Sequence, residues 1–262
     1  MTLRIGSVPY LNAKPQVDWF HSSACDADVE ITYAVPSELA KMLQRGELDA
    51  ANVSLFEAIR NPDLRIIPGI SISATGEVKS VRLFSKVIVT QVTSVALDTS
   101  SLTSNALLRI LLNERYNLSP EYHYHHPDII EMLRQYDAGL IIGDLKLFDL
   151  EKNTFELDLG KEWFDLTGLP FVYACWLARP QAPRQELTDI LTKARDWGIA
   201  HLDDLVKKWS TKMQLPFERT YDYLVNVMDY RLTKEQCAGA LLYQQKCVEH
   251  GLVPSGPCLS FD

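Results

Sequence analysis

The run Asp98-Thr99-Ser100-Ser101-Leu102-Thr103-Ser104-Asn105 places five hydroxyl side chains between an apolar strand pattern and a helical one. A helix start presents unpaired N–H groups and a partial positive charge, so Thr103, Ser104 and the amides beside them could hold a carboxylate without an arginine. Asn105 follows in the same turn. Simple N-capping by Ser101 or Thr103 is the ordinary alternative, and the two uses are compatible. Three further polar loops could face the same ligand: Tyr10-Leu11-Asn12, Asn52-Val53-Ser54, and the segment from Gly76 to Ser80. Asn12 offers a donor and an acceptor for orienting a hydroxyl or a carboxylate, while Ser54 and Ser80 are small enough to let a ligand approach the backbone. Each has a plainer reading, the asparagine as a turn residue and the serines as caps. Asp144 should emerge at the end of the apolar strand before it, placed for a general base or for capping a helix over 145–150.

The elements that must position these residues follow from periodicity. Residues 3–8 read as a strand closed by Pro9, residues 29–34 as a second, and 49–53 as a third, with a helix over 37–44 capped by Ser37 and stopped by Gly46. Residues 70–74 alternate, Gly76 breaks the pattern, and a strand-like run over 78–89 is long enough to cross between lobes. A second α/β unit then begins: strand 94–97, a helix over about 103–113, strand 122–125, helix 128–136 and strand 139–142. A return crossing falls at 169–176, and 185–251 reads as helices anchored by Trp197, Trp209 and Tyr223. Connections too long for hairpins predict mainly parallel sheets covered by helices. The expectation is an α/β, two-lobed fold with lobe 1 over 1–82 and 177–262, lobe 2 over 83–176, and a ligand cleft where strand ends and helix starts converge. One continuous doubly wound sheet is the alternative.

Composition removes several function classes. The chain has 262 residues, is 47% hydrophobic, and carries a net charge of −8, with no Lys/Arg stripe to engage nucleic acid. No apolar stretch is long enough for a membrane span, and the N-terminal residues lack the apolar core of a secretory signal, so a cytoplasmic location is expected. Five scattered cysteines without a C-x-x-C pair fit reduced thiols. His123, His125 and His126 cluster, but no Cys or carboxylate motif of metal-ligand spacing accompanies them. Walker, G-x-G-x-x-G, G-x-S-x-G and H-E-x-x-H motifs are all missing from the sequence.

From the residues alone the chain is a two-lobed binder of a small anion. Several segments go further: Arg4-Ile-Gly-Ser-Val-Pro-Tyr-Leu-Asn-Ala-Lys-Pro15, Ile70-Ser-Ile-Ser73, Val78-Lys-Ser-Val-Arg-Leu-Phe-Ser85, Ala96-Leu-Asp-Thr-Ser-Ser-Leu-Thr-Ser104, Ile141-Ile-Gly-Asp144, Asp158-Leu-Gly160 with Trp163, and Thr167-Gly-Leu-Pro-Phe-Val172 with Trp176. In this order they resemble the MqnA family, the chorismate dehydratases of the futalosine route to menaquinone. The resemblance implies a type II periplasmic-binding-protein-like fold reused as a carbon–oxygen lyase that removes water from chorismate to give 3-[(1-carboxyvinyl)oxy]benzoate. It implies no metal and no cofactor, and a small carboxylate as partner rather than nucleic acid or membrane; a homodimer is left open. On this reading Asn12 is catalytic, and Tyr10, Ser54, Ser80, Thr103, Ser104, Asn105 and Asp144 bind substrate. The MqnD-like dihydroxynaphthoate synthases, which share the fold, and a non-catalytic cytoplasmic anion-binding protein are the alternatives. The segment Ala74-Thr-Gly-Glu-Val78 departs from the Asp-Gly-Pro-Val form of the family.

Overall fold

The computed structural model describes residues 2–143 and 154–261, so Asp144 and the helix expected over 145–150 lie outside the described residues. Short apolar strands alternate with helices, as the periodicity requires. β1 (Leu3–Ser7) runs parallel to β2 (Val29–Tyr33) and to β3 (Ala50–Ser54). Helix α1 (Lys14–Val17) follows the turn after β1, and α2 (Pro36–Gln44) links β2 to β3. Pro36 stands at the first position of α2, preceded by extended Val35, so Ser37 is inside the helix and not its cap. Helix α3 (Leu55–Arg60) leads to the long strand β4 (Arg65–Ala74), after which the chain leaves this sheet.

The second sheet starts with β5 (Val81–Ser85), which is much shorter than the run expected over 78–89. It continues through β6 (Ser94–Asp98), α4 (Leu102–Tyr116), β7 (Glu121–His125), α5 (Ile129–Gln135), β8 (Ala138–Ile142), β9 (Phe155–Asp158) and α6 (Leu159–Thr167). The chain returns as β10 (Phe171–Ala178) and adds α7 (Arg184–Ala200), α8 (Leu202–Met213), α9 (Phe217–Tyr221), a π-helical turn over Asp222–Val227, β11 (Met228–Arg231) and α10 (Lys234–Glu249). The strand β11 interrupts what the sequence reads as helices throughout.

Two separate sheets result, in the orders β11-β4-β10-β3-β1-β2 and β7-β6-β8-β5-β9, which overturns the continuous-sheet alternative. The crossings occupy 75–80 and 168–170, because Val81 already pairs with Ile142 in the second sheet and Phe171 with Ala74 in the first. Residues 171–176, assigned from the sequence to lobe 2, therefore hydrogen-bond within the first sheet. Mainly parallel pairing is also corrected. Strands that enter a sheet from the cleft run against those that end there, so β10 is antiparallel to β3 and β4, and β5 is antiparallel to β8 and β9. This reversal brings the carboxyl ends of β1, β3, β6 and β8 and the starts of β5 and β11 to one interlobe face.

The return crossing is packed tightly. Trp163, Phe171 and Tyr243 are almost fully buried and meet edge to face, with Phe171 centroids 5.3 Å from Trp163 and 5.0 Å from Tyr243. The Trp163 indole donates to the Pro170 carbonyl at 3.3 Å, and Gly239 of α10 presses on that carbonyl so closely that a Cβ would lie 2.2 Å from it. Of the three expected anchors, Tyr223 is buried, Trp197 is half-buried and stacks on His201, and Trp209 is half-buried beside Lys14.

Candidate functional site

The strand ends open onto a crevice between the lobes. Val8, Ile72, Val78, Val81, Ile142 and Met228 give it apolar walls, and hydroxyl and amide side chains supply its polar points. Tyr10, Asn12, Ser54, Ser80, Thr103 and Ser104, all anticipated from the sequence, line this one space. Among the described residues, no Asp, Glu, Lys, Arg or His lines it.

Asn12 is carried on the short 3-10 turn Leu11–Ala13 that Pro9 starts by ending β1. Its amide donates to the Tyr223 hydroxyl at 3.2 Å, and Tyr223 donates to Ser80 Oγ at 2.8 Å. The remaining amide oxygen, Asn12 Oδ1, is buried and has no partner among the described residues. Ser80 is held through its backbone. Asp158, the cap of α6, accepts from the Val78 and Lys79 N–H groups at 3.0 and 2.7 Å, and the Ser80 carbonyl accepts from the Gly143 N–H at 2.8 Å. Lys79 adopts a left-handed φ of 63° in this bend and ion-pairs with Asp222, next in sequence to Tyr223.

The start of α4 forms the opposite wall. Ser101 caps it, accepting from the Ser104 N–H at 3.3 Å, and among the described residues the N–H groups of Leu102 and Thr103 find no acceptor. The Thr103 hydroxyl is already engaged. It donates to the Tyr173 carbonyl at 3.1 Å and shares a short hydrogen bond with Ser54 Oγ, while the Thr103 carbonyl accepts from Tyr243 at 3.0 Å. Ser54 also caps α3 through the Phe56 N–H at 3.2 Å. Thr103 and Ser54 are thus a latch between lobes, and what this helix start has to offer an anion is its amides more than the Thr103 hydroxyl. Asn105 is not brought to the crevice: it turns under the loop, donates to the Asp98 carbonyl at 2.9 Å, and is 4% exposed.

Sequence reasoning missed Asp98, Tyr173 and the polar role of Tyr223. Asp98 is fully buried behind Ser100, accepting from its N–H at 2.7 Å and its hydroxyl at 2.5 Å. Burial pushes its carboxyl up, and the hydrogen bonds from Ser100 and Ile142 offset this only in part. Tyr173, in β10, lines the crevice with a buried hydroxyl that has no partner among the described residues, and burial drives that phenol well above its usual range. Burial also raises the Tyr10 phenol, with the Asp98 charge adding to it and a hydrogen bond with Ser100 opposing. An apolar strand containing one tyrosine gives no local sign of which face the ring takes. No group of three His, Cys, Asp or Glu side chains converges among the described residues; His123 instead stacks on the Tyr136 ring at 4.7 Å.

A sequence model of the menaquinone biosynthesis family matches residues 3–249. The chain belongs to this family. It is 33% identical to a chorismate dehydratase of Thermus thermophilus over 196 residues, 68% of this chain and 72% of that protein. The family member's fold is that of the periplasmic binding proteins. It matches a crystal structure of an Archaeoglobus fulgidus protein with a TM-score of 0.80 at 16% identity, covering 96% of this chain and 98% of the other. It also matches the periplasmic aliphatic sulphonate binding protein of Escherichia coli with a TM-score of 0.66 at 20% identity, covering 97% and 89%. No helix among the described residues is long and apolar enough to cross a membrane.

Proposed function

We propose that this family member is a chorismate dehydratase, a hydro-lyase that converts chorismate to 3-[(1-carboxyvinyl)oxy]benzoate. The observation that carries the reading is the crevice itself: apolar walls, Asn12 and Ser80 on one side, and free amides of a helix start on the other. A dicarboxylate with a cyclohexadiene ring fits such a lining, its ring against Val8, Ile72 and Val81 and one carboxylate at the N–H groups of Leu102 and Thr103.

The chemistry asks for orientation more than for a strong acid. The hydrogen at C3 of chorismate is vinylogous to the ring carboxylate. Its loss as a proton and departure of the C4 hydroxyl leave an aromatic ring, the proton and hydroxide together making the water released. The enolpyruvyl ether is carried on C3 itself, so its carboxylate can reach the C3 hydrogen, and on this reading it serves as the base while Asn12 orients the substrate for that internal transfer. Tyr10 and Ser54 shape the pocket around the ring.

Incubation of the purified chain with chorismate, followed by ultraviolet absorbance and proton NMR, tests this. Conversion of the diene to an aromatic benzoate is expected, and an intact diene would leave a binder without catalysis. A parallel incubation with the cyclic futalosine derivative is expected to give no dihydroxynaphthoate. Asn12→Ala should lower turnover of chorismate at least 100-fold if orientation is the main source of rate, as losses of this order follow misplacement by about 1 Å.

A further inference from the structure

Asn12 and Ser80 reach the crevice from different parts of the chain, and Tyr223 joins them. A phenol carries a single proton. Because Tyr223 donates it to Ser80 Oγ, it can only accept from the Asn12 amide, so the chain of three groups runs in one direction. Ser80 then keeps its own hydroxyl proton, and among the described residues no protein group accepts it. The carbonyl end of Asn12 is likewise unpartnered.

The surroundings hold Tyr223 in this role. It is 1% exposed, and burial pushes its phenol up to about 12 against the pull of Ser80 and Asn12, so it remains a donor across the physiological range. It lies in the π-helical turn Asp222–Val227, a conformation found often at functional sites. The Lys79–Asp222 ion pair fixes the neighbours of both Ser80 and Tyr223, so their hydroxyls are brought together by two adjacent contacts.

We propose that Tyr223 is a positioning residue for the dehydration, aiming the Ser80 hydroxyl as a hydrogen-bond donor at the departing hydroxyl of the substrate while it fixes the Asn12 amide. The inference rests on the dehydratase reading and deepens it. Tyr223 does not touch substrate; it acts by spending its one proton on Ser80. Hydrogen-bonded chains of this kind strengthen each member, so losing the first link weakens the last.

The test uses the full chain with chorismate. Tyr223→Phe is expected to lower kcat about 10-fold with KM changed less than about 2-fold, the loss of one oriented hydrogen bond. In a Ser80→Ala background the same change should cost clearly less than in the parent, about 3-fold or below, because only the link to Asn12 is left to lose. Equal losses in both backgrounds, or a change confined to melting temperature, overturn the proposal. Should Tyr223→Phe fail to fold, 3,5-difluorotyrosine at this position keeps the shape and alters donor strength. It should change kcat more in the parent than in the Ser80→Ala variant, and an unaltered parent kcat counts against the proposal. An unsubstituted chain inert towards chorismate removes the dehydratase reading and this inference together, whereas an active chain indifferent to Tyr223 removes this inference alone.

Discussion

Gly198→Ala sets two effects of opposite sign against each other. Gly198 is inside α7, where alanine is favoured over glycine by about 1 kcal/mol, so helix propensity alone predicts a more stable protein. Packing predicts the reverse. A Cβ on Gly198 would lie 1.6 Å from the Pro15 carbonyl oxygen and 2.5 Å from its carbon. The clash is with backbone, so no rotamer relieves it, and restoring ordinary contact near 3.4 Å requires α7 and α1 to part by about 1.8 Å. Overpacking of this kind costs typically about 1–3 kcal/mol and more where backbone must move. The clash should win by about 2 kcal/mol or more, lowering the melting temperature by roughly 4–8 °C in a chain of this size. Because Pro15 follows Asn12 by one helical turn, chorismate turnover should fall as well, by about 100-fold if the Asn12 loop moves an ångström. Differential scanning calorimetry and steady-state assays check both. Gly256→Ala, where nothing lies within 4 Å of the added carbon, serves as the control and should shift neither. A Gly198→Ala protein that melts higher than the parent refutes the argument.

Two further outcomes are expected. Thr103→Val keeps the shape but strands the Tyr173 carbonyl and the Ser54 hydroxyl, so it should lower the melting temperature by several degrees, about 2 kcal/mol, as well as weaken chorismate binding; weaker binding at unchanged melting temperature would mean the hydroxyl serves substrate and not the latch. Burial pushes the Asp49 carboxyl up, but hydrogen bonds from Arg4 and Arg179 outweigh it and hold it below the usual carboxylate range. The stability this contributes is present at neutral pH, above the unfolded-state value near 4, and is lost as pH falls through the lower folded value. Arg4 and Arg179 are partly exposed and stay hydrated without their partner, so Asp49→Asn should destabilise the fold by about 1–3 kcal/mol at pH 7 and flatten the melting-temperature decline below about pH 4, measured by calorimetry from pH 7 to 3.

Much of the local architecture was legible because it depends on neighbours in sequence. Ser101 before an apolar periodic run marks the start of α4, and Asp128 caps α5 by accepting from the Ile130 and Glu131 N–H groups. Pro9 ends β1 and delivers Asn12 to the interlobe face. The expected boundary at residue 176 missed because an apolar strand such as β10 reads alike in either sheet; only pairing with β3 and β4 assigns it. Ser37 was misread for a related reason, since Pro36 competes for the helix start with an equally local signal.

By itself the sequence determined the two α/β units, the polar turns at their strand ends and the hydroxyl-rich start of α4, all features set by contacts a few residues apart. Tertiary structure alone decided that strands entering from the cleft run antiparallel, that the Thr103 hydroxyl joins the lobes, and that Tyr223 links Asn12 with Ser80. Those partners are 70 to 211 residues apart in the chain, and a hydrogen bond over that separation exists only after two sheets and their crossings have set the distance. Periodicity reports which face of an element is buried; it carries no information about which distant polar group waits on the other side.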